Sequence, residues 1–577
     1  MLRMRKIVFA LISVFTVNLL CAQGGEDDGG FNQTQVITGD RTLTVQKAFK
    51  ISELPVPQEI EVEMGDLDYL LIPRRPDLTV EVDSIEAARV KIREPLDKLY
   101  KGYVKAGAGN FATPLLEAYF ASDRDRELAY GAKVRHLSHN DGVNRPVAFS
   151  GMSQNSIDVW GKKIFGKHSL QSQLSYNRDV WHYYGFDPQD ADIDNDDIQQ
   201  RFNLFELNSN WKSYYRDSSK VNHDLGLDIY YLNDRFEAGE FGINATGDLR
   251  SYRGDQLYLL DLGFDLISYS GADVQAFEFM SNDSISIAAT DETNAIFNAV
   301  PKIVLRNGAI RADVGLGIYA RFTDKVRFNA FPDLEFSVRL FNDIFVPYAG
   351  VTGNVERVSY RTLTTDNPFV LSQLPLENTV NRYKAYGGFR GSVSDNLSFN
   401  VGASYQKGDN TPLFVNDTLV SRENRFSVIY DDVKTFTLFG EVTYTSGDKW
   451  GVNLSGRIYS YDTEDEDEAW HLPSSEFTLA GHYNLYDKFV LGASAALIGS
   501  RQVKSLFPIP NEQPEDGGYW KVELDPYLDI SLSAEYRYTE RLSAFIQATN
   551  LTATKYDIYY RFPAQRAFVL GGVKYSF

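Results

Sequence analysis

The chain has 577 residues, a formal net charge of −20 and a single cysteine, and 14% of its residues are aromatic. Its mean hydropathy is −0.31 and its only long apolar run lies near the start, which excludes a bundle of membrane helices. The excess of acidic residues argues against nucleic acid or anionic lipid as the main partner.

Residues 1–22 have the pattern of a secretory signal peptide. Three cations precede an apolar run from Ile7 to Leu20, which is too short to span a bilayer, and cleavage is expected near Ala22. Cys21 follows a leucine, whereas a lipoprotein site needs a small residue before the cysteine, so we expect no lipid anchor. With no other cysteine in the chain, disulfides are excluded.

Residues 23–100 form an N-terminal segment that differs from everything after it. It begins acidic and glycine-rich and continues with short strand-like pieces punctuated by proline. It contains no glycine-rich phosphate loop and no metal-spaced His/Cys pair. We expect it to lie in the periplasm or to fill the lumen of the domain that follows; an extended leader that pairs with little is the alternative.

Residues 101–577 are predicted to be antiparallel strands joined alternately by short and long connections. The short turns are rich in Asp, Asn, Gly, Ser and Lys, as tight hairpins require: Ser122–Arg126, Phe165–Lys167, Arg216–Lys220, Arg253–Asp255, Arg306–Gly308, Phe341–Asp343, Val393–Asn396, Ser446–Lys449, Tyr486–Lys488 and Thr539–Arg541. Longer connections separate them: Leu137–Met152, Gly185–Asp197, Ser270–Thr293, Glu356–Thr379, Lys407–Asp432, Tyr461–Pro473 and Arg501–Leu524. Ten short turns and eleven outer connections predict about 22 strands, with short loops on the periplasmic rim.

Alternation within the predicted strands indicates where each face lies. From Leu528 to Tyr538 every second residue is apolar, while those between are polar or small, so one face is lipid-exposed and the other is wet. The chain ends on Val573, Tyr575 and Phe577, which share a face. The predicted fold is therefore all-β: a transmembrane antiparallel β-barrel whose last strand closes against its first.

Two acidic stretches in the outer loops suggest hard-oxygen cation sites. Asp190, Asp192, Asp194 and Asp196 provide a cluster of carboxylates, and the last three have the spacing of the first ligands of a calcium loop. It is not an EF-hand, because Asp197 stands in place of the glycine and Asn203 in place of the glutamate. A second run covers 462–468. Either run could bind Ca²⁺ that bridges lipopolysaccharide phosphates, and the first is the candidate site; their composition favours a solvated acidic loop over a metal site.

Other side chains are assigned by their position in the predicted strands. Inward cations facing Glu441 and Glu535 are expected to form a ladder of charges in the lumen: Arg311, Arg321, Arg339, Arg390 and Arg457. Aromatic residues at loop bases are expected to belong to the interfacial girdle, or to stack on a ligand: Trp181, Tyr183, Tyr184, Tyr519 and Trp520.

The last strands resemble those of a known family. Asn550-Leu551-Thr552-Ala553-Thr554-Lys555-Tyr556, before a final strand ending Tyr575-Ser576-Phe577, is similar to the end of TonB-dependent receptor barrels, and the first strands, from Glu94 to Leu115, look like those of receptor-like barrels. The resemblance implies uptake of a scarce ligand with energy from an inner-membrane complex. The chain departs from the family in two ways. The segment before Lys101 is shorter than the plug domain of such receptors. It also has no clear box for contacting the energy-transducing protein, for which Gln35-Val36-Ile37-Thr38 is the candidate.

The sequence therefore predicts an outer-membrane receptor-like barrel that takes up or captures a solute at the cell surface. The alternative is a non-transporting scaffold barrel that partners a lipoprotein or envelope and secretion machinery. Expected partners are outer-membrane lipid, lipopolysaccharide, a TonB-type protein and a surface lipoprotein. An enzyme is not expected, because no nucleophile motif is present. His136 and His139, three residues apart, face opposite sides within a strand and could share a metal only at a strand end.

Overall fold

The structure is a computed structural model that describes residues 100–577, except 124, 144–147, 186–194, 218–219, 255, 278–283, 288–290, 324, 418–420, 422–423, 506–512 and 516–517. The predicted signal peptide, nearly all of the N-terminal segment and the candidate box at Gln35–Thr38 lie outside these residues.

The described part of the chain consists almost entirely of strands. In order they are β1 Gly102–Gly109, β2 Thr113–Ala121, β3 Leu128–His139, β4 Met152–Phe165, β5 His168–His182, β6 Gln199–Ser213, β7 Asn222–Asn233, β8 Gly239–Arg253, β9 Gln256–Ser270, β10 Val274–Phe277, β11 Ser284–Ile287, β12 Asp291–Asn307, β13 Ile310–Phe322, β14 Val326–Val338, β15 Val346–Glu356, β16 Thr379–Ser394, β17 Leu397–Asn416, β18 Phe426–Ser446, β19 Trp450–Thr463, β20 Ser475–Leu485, β21 Phe489–Ile498, β22 Arg501–Ser505, β23 Trp520–Leu524, β24 Tyr527–Arg537, β25 Leu542–Thr549, β26 Asp557–Tyr559, β27 Phe562–Pro563 and β28 Phe568–Ser576. One short helix, α1, covers Tyr360–Asp366. Among the described residues no helix is long and apolar enough to cross a bilayer.

Twenty-two strands form one antiparallel sheet that closes on itself. The pairs β10–β11, β22–β23 and β26–β27 are separate small hairpins within long connections. Closure is made by β1, which pairs with β2 on one side and with β28 on the other, in a register that places Val104 opposite Tyr575 and Ala106 opposite Val573. The predicted closed barrel and its strand number are confirmed.

Connection length is sorted by rim, as predicted, but with three exceptions. All ten predicted short turns join strands on one rim, from two residues at 166–167 to eight at 214–221. The opposite rim carries the long connections, but also three short ones at 110–112, 234–238 and 323–325. The sorting is therefore a property of most hairpins of the outer rim and not of all of them.

The outer wall is apolar and the inner wall polar. In β24 the exposed fractions of Leu528, Leu532 and Tyr536 are 38%, 49% and 40%, which are high values for large apolar side chains in the middle of a sheet. Asp529, between them, points inward, where its carboxylate accepts hydrogen bonds from the Asn550 amide at 3.2 Å and from the Tyr556 hydroxyl at 3.0 Å. The predicted alternation of faces is confirmed.

The segment that carries the family resemblance is a structural corner before the last strand. Asn550 lies in the left-handed region with φ +46°, which asparagine tolerates better than most residues. Its side-chain amide donates to the Gln565 carbonyl at 2.8 Å, and Tyr556 stacks on Tyr527 with ring centroids 3.8 Å apart. These contacts fix the connection from β25 to β28 against Asp529, and so explain why the asparagine and tyrosine stand at this spacing.

Candidate functional site

The long connections of the outer rim fold over the lumen and pack on one another. We call the resulting buried apolar cluster, together with the 357–378 connection at its centre, the loop cap. Its buried members come from ten strands or connections: Ala148, Tyr183, Ile198, Phe202, Leu232, Ala238, Ile267, Tyr269, Ala272, Val358, Tyr360, Leu363, Phe369, Val370, Leu371, Leu374, Leu376, Phe426, Val428 and Phe562. The apolar residues of these loops are thus covered by loops from elsewhere on the rim.

Contacts between distant hairpins show that the loop cap reaches across the mouth. Phe369, between β15 and β16, stacks on Phe562, between β25 and β28, with ring centroids 4.0 Å apart. Six strands of the closed sheet lie between these two hairpins. The Tyr184 hydroxyl, at the end of β5, donates to the Pro563 carbonyl at 3.1 Å. Connections from opposite parts of the rim therefore meet above the lumen.

The helix at the centre of the loop cap is held by a buried carboxylate on the barrel wall. Glu240, in β8, has no exposed surface. It accepts hydrogen bonds from the backbone amides of Tyr360 and Arg361, at 2.6 and 3.1 Å, and from the Tyr230 hydroxyl at 2.8 Å. A carboxylate at a helix start satisfies amides that have no partner within the helix. Glu240 is thus the anchor of α1.

A second buried carboxylate, Asp234, lies in the short turn between β7 and β8. It accepts hydrogen bonds from the Tyr360 hydroxyl at 2.9 Å, the Gln200 side chain at 3.0 Å, the Ala238 amide at 2.9 Å and the Ser372 hydroxyl. Burial raises the pKa of the Asp234 carboxyl, while these donors act in the opposite direction. Both ends of the 357–378 connection are thereby tied to the β7–β8 hairpin.

Arg361 extends from the loop cap down the inner wall. Its guanidinium pairs with Glu206 of β6 and lies 3.5 Å from Asp228 of β7. It also stands 4.4 Å above the ring of Tyr230. The side chain therefore joins the loop cap to the charged lining of the barrel.

A polar cavity of about 390 Å³ lies in the wall next to the loop cap. We call it the lumenal chamber; it is lined by Asp261, Val300, Lys302, Gly317, Tyr319, Asp333, Thr352, Gly353, Asn354, Glu356, Asn381, Lys384 and Gln406. The volume falls in the usual range of small-ligand pockets, about 300–1,000 Å³. Because Glu356 ends β15, the chamber begins where the 357–378 connection leaves the wall.

The wall of the lumenal chamber is irregular in three successive strand pairs. The registers shift between Thr352 and Asn354, between Asn381 and Tyr383, and between Gly408 and Thr411. Bulges interrupt pairing and redirect side chains, and they occur often beside functional sites. Here they turn amides toward the cavity.

These amides form a chain across the chamber wall. The Asn381 side chain donates to Asn354 at 2.8 Å and accepts from Gln406 at 2.6 Å. Lys302 is held between Asp333 at 2.8 Å and Asp261 at 3.2 Å. Lys384 makes no ion pair with any described residue. The chamber thus offers amides, a paired lysine and an unpaired one to a polar solute.

The charge ladder predicted for the lumen exists, but with other partners. Arg311 pairs with Asp313 and Arg390 with Glu335, at 2.6 and 2.7 Å. Glu441, one of the carboxylates expected to face these cations, accepts a hydrogen bond from Asn453 instead. Arg339 was wrongly placed, because it follows β14 on the short-turn rim and there pairs with Asp343.

The assignment of the loop-base aromatics to the interfacial girdle is wrong for Tyr183, Tyr184 and Tyr519. Tyr183 has no exposed surface and belongs to the loop cap, while Tyr519 packs edge-on against Trp470 with centroids 5.7 Å apart. Trp181 lies 6.1 Å from Phe369, also within the loop cap. Sequence position at a strand end does not distinguish a ring facing lipid from one folded over the lumen.

The first acidic cluster remains a prediction. Asp190, Asp192 and Asp194 lie outside the described residues, and Asp196 lies in the turn before β6, where its carbonyl accepts from the Gln199 amide at 3.4 Å. In the part of the chain that the structure describes, no group of three or more His, Cys, Asp or Glu is placed to hold a metal ion.

The second acidic run, 462–468, is neutralised within the protein. Four of its carboxylates pair with lysines of neighbouring elements: Asp462 with Lys434, Glu464 with Lys407, Glu466 with Lys504, and Glu468 with Lys521. Asp467 accepts from the Tyr519 hydroxyl. These ion pairs fasten the β19–β20 connection to β17, β18 and the β22–β23 hairpin.

His471, in the same connection, is a buried base. Its Nδ1 lies 2.9 Å from the Phe414 carbonyl and its ring packs edge-on against Phe426 at 5.3 Å. Burial lowers the pKa of His471 from 6.5 to about 4, the backbone contact acting in the opposite direction. The imidazole is therefore neutral when the connection is packed.

Comparison with known proteins supports the architecture. No protein-family model matches the chain, and no curated protein matches it in sequence. Among solved structures, the FrpB iron transporter from Neisseria meningitidis is similar with a TM-score of 0.61 at 10% identity, covering 84% of this chain and 82% of that one. The siderophore receptor PiuA from Acinetobacter baumannii gives 0.58 at 10%, covering 83% and 82%, and the copper transporter OprC 0.57 at 11%, covering 84% and 82%. The chain thus has the barrel fold of these proteins, and its apolar outer wall is that of an outer-membrane barrel.

We predict that Glu240→Gln loosens the loop cap without disturbing the barrel. The amide keeps one acceptor oxygen for three donors, so the local free energy of opening should fall by about 1–3 kcal/mol. Hydrogen exchange of the amides in 357–378 measures this, and Glu523→Gln, at an exposed position of the β22–β23 hairpin, is the matched control. Unchanged protection in 357–378 would contradict the role of Glu240 as the anchor of α1.

We also predict that packing of the β19–β20 connection weakens in acid. In an open connection His471 has its ordinary pKa of 6.5, whereas in the packed connection its pKa is about 4. The packed connection is therefore most stable above pH 6.5. Its free energy of opening decreases by up to about 3 kcal/mol as the pH falls to 4. Hydrogen exchange of 464–474, corrected for intrinsic rates, gives the profile. His471→Gln should flatten it and His482→Gln should not; a flat wild-type profile would refute the prediction.

Proposed function

We propose that this protein is an outer-membrane receptor that takes up a solute through its lumen. The observation that carries the proposal is the polar lumenal chamber next to a loop cap that spans the mouth. A barrel of this strand number has a wide interior, and a general pore needs neither a bulged amide-lined pocket nor a packed cap. A receptor needs both, one to hold its ligand and one to control passage.

The structural neighbours agree with this reading in their own functions. They are named as an iron transporter, a siderophore receptor and a copper transporter. They are proteins of uptake and not enzymes, and we infer the same for this chain. Its lumenal chamber has no cysteine, methionine or histidine in its lining, so a bare soft metal ion is not the ligand we expect there.

Uptake against a gradient requires energy, and we propose that a TonB-type protein supplies it. The sequence candidate for the contact is Gln35–Thr38, which lies outside the described residues. Recognition of such a short segment by strand addition depends on its backbone amides and carbonyls.

A scaffold barrel that partners a lipoprotein is the competing function, and conductance separates the two. We expect the wild-type protein to be nearly silent in planar bilayers, and the variant with 357–378 replaced by a Gly-Ser linker to conduct as an open channel. Replacing 323–325, a short turn on the same rim, is the control and should leave the conductance low. If the barrel without 357–378 still does not conduct, the loop cap does not control passage and the result favours the scaffold function.

The energised step has its own test. Val36→Pro removes a backbone donor and fixes φ, so co-purification of the barrel with the periplasmic domain of the host TonB-type protein should drop at least tenfold. Asn32→Pro, outside the candidate box, is the control. Equal recovery of both variants and the wild type would show that these four residues do not make the contact.

A further inference from the structure

Two arginines face each other on the inner wall at the outer ends of β13 and β14. Arg321 and Arg327 are direct partners in the register of these strands. They share the inner face with Asp333 and Tyr319, which line the lumenal chamber, while Phe322 and Phe328 point outward and are exposed. Like charges placed directly opposite on one face of a sheet destabilise it, so this pair costs stability unless an anion lies between them.

The described residues do not provide that anion. Among the described residues neither guanidinium lies in an ion pair, and the buried Nε of Arg321 has no hydrogen-bond partner. Asp409 interacts electrostatically with Arg321, but its carboxylate is already paired with Arg382. Arg321 therefore has no carboxylate of its own among the described residues, in a chain whose net charge is −20.

The arginine pair adjoins the lumenal chamber. The next inner-face pair along the same strands, one step away from the rim, is Tyr319 opposite Asn329. Tyr319 lines the chamber, and Asn329 has a buried side-chain oxygen without a partner. Lys384, unpaired among the described residues, lines the same cavity. Cationic and amide groups without partners among the described residues thus lie both at the rim and in the chamber.

We infer that Arg321 and Arg327 bind the anionic group, phosphate or carboxylate, of a solute whose hydroxyl or amide groups occupy the lumenal chamber. A planar guanidinium binds such anions through two parallel hydrogen bonds. The amides of Asn354, Asn381 and Gln406 suit the neutral part of the solute. The inference names the class of ligand for the proposed receptor. It rests on the proposed function in one respect, that the solute enters the lumen.

Calorimetric titration of the purified full chain with glucose 6-phosphate, inorganic phosphate and glucose tests the inference. We expect glucose 6-phosphate to bind more tightly than phosphate, and glucose to bind most weakly. Arg321→Gln and Arg327→Gln should each weaken binding of both phosphates at least tenfold, while Arg253→Gln, on the opposite rim, should not. Lys384→Gln should weaken glucose 6-phosphate more than phosphate, because only the sugar reaches the chamber.

Arg321→Lys separates geometry from charge and guards against a misfolded glutamine variant. It keeps the charge but not the paired donors, so its affinity should fall between those of the wild type and Arg321→Gln. Equal affinities in wild type and arginine variants, an equal loss in Arg253→Gln, or no binding of either phosphate by the wild type would overturn the inference. Removal of 357–378 opens the barrel whether or not these arginines bind an anion. The conductance experiment can therefore support the receptor function even if the calorimetric titration fails.

Discussion

The structure depends on one constraint: in a bilayer every backbone amide and carbonyl must find a partner within the protein. A sheet meets it only by closing, and here closure is the pairing of β1 with β28, which aligns Tyr103–Gly109 with Leu570–Ser576. The rest of the wall follows from it. The strands alternate because one face contacts lipid, and their number is even because both barrel termini lie on the same rim.

Closing a sheet of 22 strands pairs every strand edge in the wall, but it also leaves a wide lumen. The long connections answer it by folding inward, and their aromatic side chains become the core of the loop cap. Such a core needs polar anchors, because the wall beneath it is hydrophilic. Glu240 and Asp234 fill this role: both are buried, and both have enough donors to offset the cost of burying a carboxylate. The 357–378 connection is therefore fixed by specific hydrogen bonds as well as by apolar packing.

How much could be predicted from the sequence follows from the range of the interactions involved. Strand alternation and tight turns are local, so the segment from Leu528 to Tyr538 and the ten hairpin turns could be identified from their residues. The loop cap could not, because its contacts join positions far apart, as with Arg361 and Glu206, 155 residues away. For the same reason Tyr183 was assigned to the girdle. The lumenal chamber depends on bulges at Thr352, Asn381 and Gly408, which leave no periodic mark in the sequence.

The distribution of charge changes where a ligand should be sought. An acidic chain with acidic loops directs attention to cations, yet in the described residues the carboxylates are largely engaged: Glu240 and Asp234 hold the loop cap, and Glu466 pairs with Lys504 at 2.7 Å. Arg321 and Lys384, by contrast, are cations near the mouth that form no ion pair with a described residue. Because Asp261 and Asp333 are paired with Lys302 while these cations are not, an anionic group can bind at the lumen wall of this acidic protein. The local balance of charge at the lumen wall, and not the net charge of the chain, decides what the receptor attracts.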